Sequence, residues 1–181
     1  MDVFEAILKR HSIRAYSQNP IPKDKLEKIL EAARLAPSAA NIQPWHFIVV
    51  TDQQKRKKLS EGGIFARFLS ETPVVIVGCG DRKASPRWYM IDTAIAMQNM
   101  VLAATSEGLG TCWVGSFKEE QVKELLKIPE NFSIIALLAI GYPLEKWDLA
   151  SKVLHFFRKK KSLEKITSLE EFGNKFCKGI G

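Results

Sequence analysis

Helices and strands alternating within one domain are what this sequence predicts, on three grounds. Its 181 residues fall in the common range for a single domain. Several segments carry apolar residues at helical spacing, and four short apolar or β-branched runs lie between them. The order reads helix, helix, strand, helix, strand, helix, strand, helix, strand, then a basic tail. On alternation alone the connections would be crossovers and the sheet parallel and doubly wound.

Val3–Arg10 reads as a short helix, and Lys23–Ala36 as a stronger one because Leu26, Ile29, Leu30 and Ala33 recur on one face. Pro22 and Pro37 bracket it, since proline suits a first turn and pushes the residue before it out of the helical region. Trp45–Thr51, rich in β-branched and aromatic residues, reads as a strand. Asp52–Ser60 reads as a polar helix and Ile64–Ser70 as a further helical segment, leading to a buried strand at Pro73–Gly78. Trp88–Glu107 is the longest helix, ended by Gly108. Its apolar residues Ile91, Ile95, Met97, Met100, Val101 and Leu102 lie on more than one face, more than a single core face requires, which suggests a second buried seam. Thr111–Gly115 reads as a short strand, Glu119–Leu126 as an amphipathic helix and Phe132–Ile140 as a fully buried strand.

Composition narrows the function classes. With 46% hydrophobic and 26% charged residues the chain can bury roughly 70% of its unfolded surface, so it needs no metal or disulfide to fold. The start Met-Asp-Val-Phe-Glu lacks the pattern of a secretory signal, and the apolar runs 73–78 and 134–140 are too short to span a bilayer. The longer stretch from Trp88 to Ala104 carries Asp92, Gln98 and Asn99. No membrane association is expected. Cys79, Cys112 and Cys177 form an odd set without Cys-x-x-Cys spacing, which suits a reducing cytoplasm and argues against a zinc site.

The net charge of +7 is uneven, because residues 150–181 hold eight basic and three acidic residues, concentrated in Arg158-Lys159-Lys160-Lys161. Such a run is either a solvated face or nonspecific contact for polyanions, or it is a specific phosphate ligand. A nucleic-acid-binding domain would draw on this tail and on the basic stretch 55–58, but basic and aromatic residues are not interleaved and no nucleic-acid motif occurs, so no specific nucleic acid is expected. Gly78-Cys79-Gly80 follows a strand but has Lys83 where a Rossmann loop needs its third glycine, and Gly108-Leu109-Gly110 precedes a strand. Walker and nucleophile-elbow patterns are missing. His11, His46 and His155 show no metal-ligand spacing. Glu170-Glu171 reads as a solvated face.

Three clusters do carry chemistry. Arg10-His11-Ser12-Ile13-Arg14 either complements the dipole of the first helix or, with Arg10, Ser12 and Arg14 on one side of an extended exit, forms an anion site of planar and compact donors. Pro37-Ser38-Ala39-Ala40-Asn41-Ile42-Gln43-Pro44-Trp45-His46-Phe47 is a polar loop entering a strand. Its Ser38, Asn41 and Gln43 suit the edges of a planar heterocycle, while Trp45 and His46 read as structural. Gly108-Leu109-Gly110-Thr111-Cys112-Trp113-Val114-Gly115 is either loop chemistry or a backbone stripped for close approach to a flat ring.

In order and spacing, these three clusters and Ile140-Gly141-Tyr142-Pro143 resemble the FMN-dependent nitroreductase family over nearly the whole chain. The resemblance replaces the parallel sheet with an α+β, nitroreductase-like three-layer fold, a mainly antiparallel central sheet flanked by helices, in an intertwined homodimer with two FMN sites at the interface. It implies that residues 1–181 form one FMN-binding domain, with 150–181 a basic extension contributing to the cofactor site or dimer. Arg10, Ser12 and Arg14 match the first FMN-binding motif, with His11 contributing through its backbone or ring. Pro37, Ser38, Ala39, Asn41 and Gln43 match the loop that reaches the partner's flavin. Trp113, Val114 and Gly115 match the loop carrying a backbone donor to flavin N5, and Arg158 and Lys160 match basic phosphate ligands before a Leu-Glu pair, here Leu163-Glu164.

The implied activity is an FMN-dependent oxidoreductase in which NADH or NADPH, as a transient hydride donor, and then a small-molecule electron acceptor (nitroaromatic, quinone, enone or flavin) use one site in turn. No side chain is named as a catalytic acid, base or nucleophile, and no metal is expected. The alternative is a non-enzymatic flavin-binding storage or redox-sensing protein.

Overall fold

The computed structural model describes residues 1–144 and 160–175. The first compact unit spans 1–148 and the second 149–181. Helix α1 (Val3–Lys9) opens on a capping box in which Asp2 accepts from the Glu5 amide and Glu5 from the Asp2 amide. After it come α2 (Lys23–Arg34), β1 (Trp45–Val50), α3 (Gln53–Ser60), β2 (Val74–Asp81), α4 (Tyr89–Ser106), β3 (Gly110–Val114), α5 (Glu119–Leu126) and β4 (Phe132–Gly141). Ala39–Asn41 and Ile64–Ser70 are 3-10 turns. The second segment is therefore helical as expected but wound more tightly, and it leaves Ile64 and Phe65 exposed.

The sheet order is β1-β2-β4-β3 and every neighbouring pair is antiparallel. This overturns the parallel reading drawn from alternation and agrees with the α+β expectation. The reasons lie in the connections. Val50 pairs with Val75, so the excursion through α3 returns to the end of the sheet it left, which makes β1 and β2 antiparallel. Helix α4 does carry the chain back along the sheet, so β2 and β3 run the same way, but β4 inserts between them in the opposite direction.

Alternating side chains divide the core into two layers. Val75, Val77, Cys79, Leu137 and Ala139 pack with Leu59, Ala66, Leu69 and Val122 from α3, the 3-10 turn and α5. Val74, Ile76, Ala136, Leu138 and Ile140 pack with Ile29 and Ala33 of α2 and with Ala96, Met97, Met100 and Val101 of α4. Ile134 joins the first layer against its parity because a bulge shifts the register between Gly78↔Ala136 and Cys79↔Ile134.

Gly108 ends α4 with a left-handed φ of 76°, where it donates to Thr105 while Leu109 donates to Ala104, the pattern of a Schellman cap. The half-buried carboxylate of Glu107 next to it meets Lys28, whose hydrogen bond holds it below the usual carboxylate range. Lys25 donates to the Glu107 carbonyl at 2.8 Å, tying α2 to the end of α4. Arg56 in α3 is buried, although the sequence places it in a solvated basic stretch. Its guanidinium donates to the carbonyls of Thr51 at 3.3 Å, of Ser70 at 3.1 Å and of Thr72. In the second unit the described residues 160–175 contain a 3-10 turn at Leu163–Lys165 and exposed Leu163, Ile166 and Phe172. No helix among the described residues is long and apolar enough to cross a membrane.

Candidate functional site

The chain leaves α1 at Arg10 in an extended path that is stitched to the sheet rather than free. Ser12 bridges Thr111 in parallel, the Ile13 amide donates to the Thr111 carbonyl at 2.9 Å, and Tyr16 bridges Pro143. Ile13 is buried, Arg14 and His11 are exposed, and Arg10 and Ser12 are half-buried, so the alternation read from the sequence holds from Ser12 to Arg14 but not at His11, which is exposed on the side of Ile13. It stops at Tyr16, which is buried and donates its phenol proton to the Ile13 carbonyl at 2.6 Å. His11 Nδ1 donates to the Lys9 carbonyl at 2.9 Å.

That stitching brings the first and third clusters together, because β3 begins beneath Ile13. A Cβ at Gly110 would lie 2.6 Å from Ile13 Cγ1 and 2.9 Å from its Cβ, so glycine there permits the extended segment to approach. Gly110 thus has a structural reason, as does Gly108. Gly115 differs from both. Its φ is not left-handed and an added Cβ would meet nothing within 4 Å among the described residues, so this chain's own packing does not call for glycine there. Beside it Trp113 is 37% exposed and Val114 is buried.

The second cluster is held differently. Ala40, Asn41 and Gln43 all take left-handed φ values, of 49°, 55° and 53°. Such conformations cost non-glycine residues about 1–2 kcal/mol each, and they persist only where surroundings enforce them. Here the Gln43 amide donates to Ser38 Oγ at 2.9 Å, the Gln43 side chain donates to the Asn41 carbonyl at 3.3 Å, and the Ala39 amide donates to Asp92 Oδ2 at 3.2 Å. Asn41 and Gln43 are exposed, as is Pro37, while Ser38 and Ala39 are half-buried. Asp92 is not among the sequence-derived candidates. Its signal was a lone carboxylate inside an apolar helical stretch, read there only against a membrane span.

One chain does not bring all three clusters together. Ser12 lies level with Thr111 and Ile140 at the β3 edge, whereas the 38–43 loop enters β1 at the opposite edge, level with Gly80 and Ser133. Four strand spacings and about seven residues of strand separate them, roughly 30 Å. Hollows of about 480, 450 and 380 Å³ are present, and none of the described candidate residues lines any of the three. Lys160 is exposed in the second unit, and Arg158 lies outside the described residues.

The sequence pattern that defines the nitroreductase family matches residues 7–62 and 62–142, most of the chain. This protein belongs to the nitroreductase family. An Archaeoglobus fulgidus relative, whose name joins NADH dehydrogenase to NAD(P)H nitroreductase, is 42% identical over 154 residues, covering 81% of this chain and 88% of its own. A Bacillus subtilis FMN reductase [NAD(P)H] is 28% identical over 167 residues, covering 80% and 67%. Among solved structures, an FMN-dependent nitroreductase of Clostridium difficile R20291 is 33% identical with a TM-score of 0.73, covering 86% of this chain and 99% of that one.

Neither described cysteine of this family member is placed for thiol chemistry. Burial pushes the Cys79 thiol up to about 11, and Cys112 is buried in β3 against the Trp113 carbonyl. Cys112→Ser is therefore expected to retain NAD(P)H-driven reduction of a quinone within a few-fold, with any larger loss tracking lost FMN. A variant with full flavin occupancy that accepts hydride but fails to pass it on would contradict this.

Proposed function

We propose that this chain is an FMN-dependent oxidoreductase acting as a cytoplasmic homodimer, in which NADH or NADPH and then an organic acceptor occupy one site in turn. The observation that carries the reading is the division of the candidate residues between opposite sheet edges, which two copies of the chain can bring together and one cannot. Family membership and the flavin and nicotinamide names of its relatives support the same chemistry.

Bound FMN would supply the hydride-transfer chemistry that links the nicotinamide to the acceptor. The protein's part is binding and orientation. Arg10, Ser12 and Arg14 hold the phosphate as charged and hydroxyl donors on a segment fixed to β3, with His11 beside them and Arg158 and Lys160 as further cations. The other copy's Pro37–Gln43 loop presents the polar edges of Ser38, Asn41 and Gln43 to the ring, with Pro37 and Ala39 shaping the backbone beside them. Trp113, Val114 and Gly115 give a backbone approach left open at Gly115, which carries no side chain. No side chain acts as nucleophile or proton shuttle. The acceptor is a nitroaromatic, quinone, enone or flavin.

Each charged hydrogen bond to the phosphate contributes about 1.5–3 kcal/mol. Arg14→Ala is therefore expected to weaken FMN binding roughly ten- to a hundredfold while leaving riboflavin nearly unaffected. Equal losses for both ligands would move Arg14 from the phosphate to the fold or the ring, and a wild-type protein that titrates with neither would sink the flavin reading.

A further inference from the structure

The buried carboxylate in the first turn of α4 has no part in the reading above. Asp92 is only 3% exposed, and its Oδ2 accepts the Ala39 amide proton at 3.2 Å. A carboxylate out of water needs compensation. The amino end of α4 supplies part of it through its dipole, and the Ala39 amide supplies a charge-assisted hydrogen bond. The bond does not serve to join α2 to α4. Those helices are already tied by Asn99 Nδ2 donating to the Ala32 carbonyl at 3.1 Å and by Lys25 and Lys28 on Glu107. The Asp92 bond reaches instead to the first residue of the 3-10 turn Ala39–Asn41, where the chain passes from an extended Ser38 (φ −143°, ψ 157°) into the left-handed residues that shape the loop.

We propose that Asp92 is the positioning residue of the 38–43 loop: by holding the Ala39 amide against the rigid start of α4 it fixes the loop in the strained form that receives the flavin ring. This rests on the FMN reading. The strain argument gives it force, since three left-handed non-glycine residues relax toward commoner conformations once a tether is lost. Among the described residues the other hydrogen bonds within 38–43, the Gln43 amide to Ser38 Oγ, the Asn41 amide to the Ser38 carbonyl, the Ile42 amide to the Ala39 carbonyl and the Gln43 side chain to Asn41, close the loop on itself and do not fix where it sits.

The test measures flavin affinity, oligomeric state and apo-protein melting in the full chain. Asp92→Ala is expected to weaken FMN and riboflavin alike by about tenfold, leaving their ratio unchanged, where Arg14→Ala changes the ratio. Asp92→Asn keeps an oxygen that accepts the Ala39 proton and is expected to stay within about threefold of wild type. Ala39→Pro removes the donor instead. Proline suits the first position of the turn, and Ser38 already has the extended backbone that a following proline demands. Its loss is expected to match that of Asp92→Ala, and the double variant to be no weaker than the weaker single.

Wild-type affinity for both flavins in Asp92→Ala would overturn the proposal, as would losses that multiply in the double variant. So would a lowered melting temperature with flavin affinity unchanged, or conversion to a monomer, either of which makes Asp92 a residue of stability or assembly. Should Asp92→Ala fail to fold, Asp92→Asn and Ala39→Pro still decide it. A wild-type protein that binds no flavin overturns the FMN reading itself, an outcome distinct from all of these.

Discussion

Arg56→Met is expected to lower the stability of the apo-protein by about 3–4 kcal/mol, the largest single-residue effect foreseen outside the apolar core. The guanidinium joins the carbonyl at the end of β1 to two carbonyls just before β2, and it is buried while doing so. Methionine fills similar space but leaves those acceptors without their donor, and an unsatisfied buried acceptor costs about 1–3 kcal/mol. In a chain of this length such a loss lowers the melting temperature by about 10 °C. Urea unfolding should show a lower midpoint at unchanged slope. Arg56→Lys, with one nitrogen in place of three, should fall between the two. A loss under about 1 kcal/mol for the methionine variant would mean that water replaces the guanidinium and that the site is open in solution.

The second large effect concerns assembly. In the single chain Ile91 and Ile95 are exposed on α4 opposite its buried face, and Val3, Phe4, Ile7 and Leu8 are exposed on α1, which packs on α4. Beside them an apolar hollow of about 450 Å³ is lined by Val3, Ala6, Leu35 and Leu102. Exposed apolar surface of this extent marks an interaction face. Ile91→Asp combined with Ile95→Asp should therefore leave the isolated fold within about 1 kcal/mol, because surface changes cost little. It should convert the protein to a monomer of 20.4 kDa by sedimentation, and weaken FMN more than about a hundredfold by removing the second copy's 38–43 loop. A monomer that holds FMN as tightly as wild type would refute both the seam and the two-chain site.

Much of this architecture was legible because it is local. Short apolar and β-branched runs marked all four strands to within three residues at any end, and glycine chemistry marked the end of α4 at Gly108. Strand direction was not legible from pattern, since alternation along a strand is the same whichever way its neighbour runs. The placement of β4 between β2 and β3 is a matter of distant partners, and only the family resemblance carried it. The same division holds in the site. Extended alternation read Ser12, Ile13 and Arg14 correctly, but nothing in the run around residue 56 separates Arg56, which is buried, from Lys55, Lys57 and Lys58, which are exposed. Three glycines of one motif looked alike, and only their surroundings show that Gly108 turns, Gly110 yields space to Ile13, and Gly115 has neither duty. Asp92 was seen as a charge in an apolar stretch, but its partner is 53 residues away.

The order of strands in the sheet also sets an order in time. The strand that joins both halves, β4, is the last of the four to leave the ribosome, since it begins at Phe132. Until then β2 is paired on one side only and presents a bare, apolar row of backbone groups, and β3 has only the extended segment at Ser12 and Ile13 beside it. Synthesis of the seventeen residues between β3 and β4 is brief, about 1–3 seconds at ordinary elongation rates. Throughout that interval the nascent chain is an open-edged ribbon, and its vulnerability to self-association ends when Phe132–Gly141 slides in as the central stave.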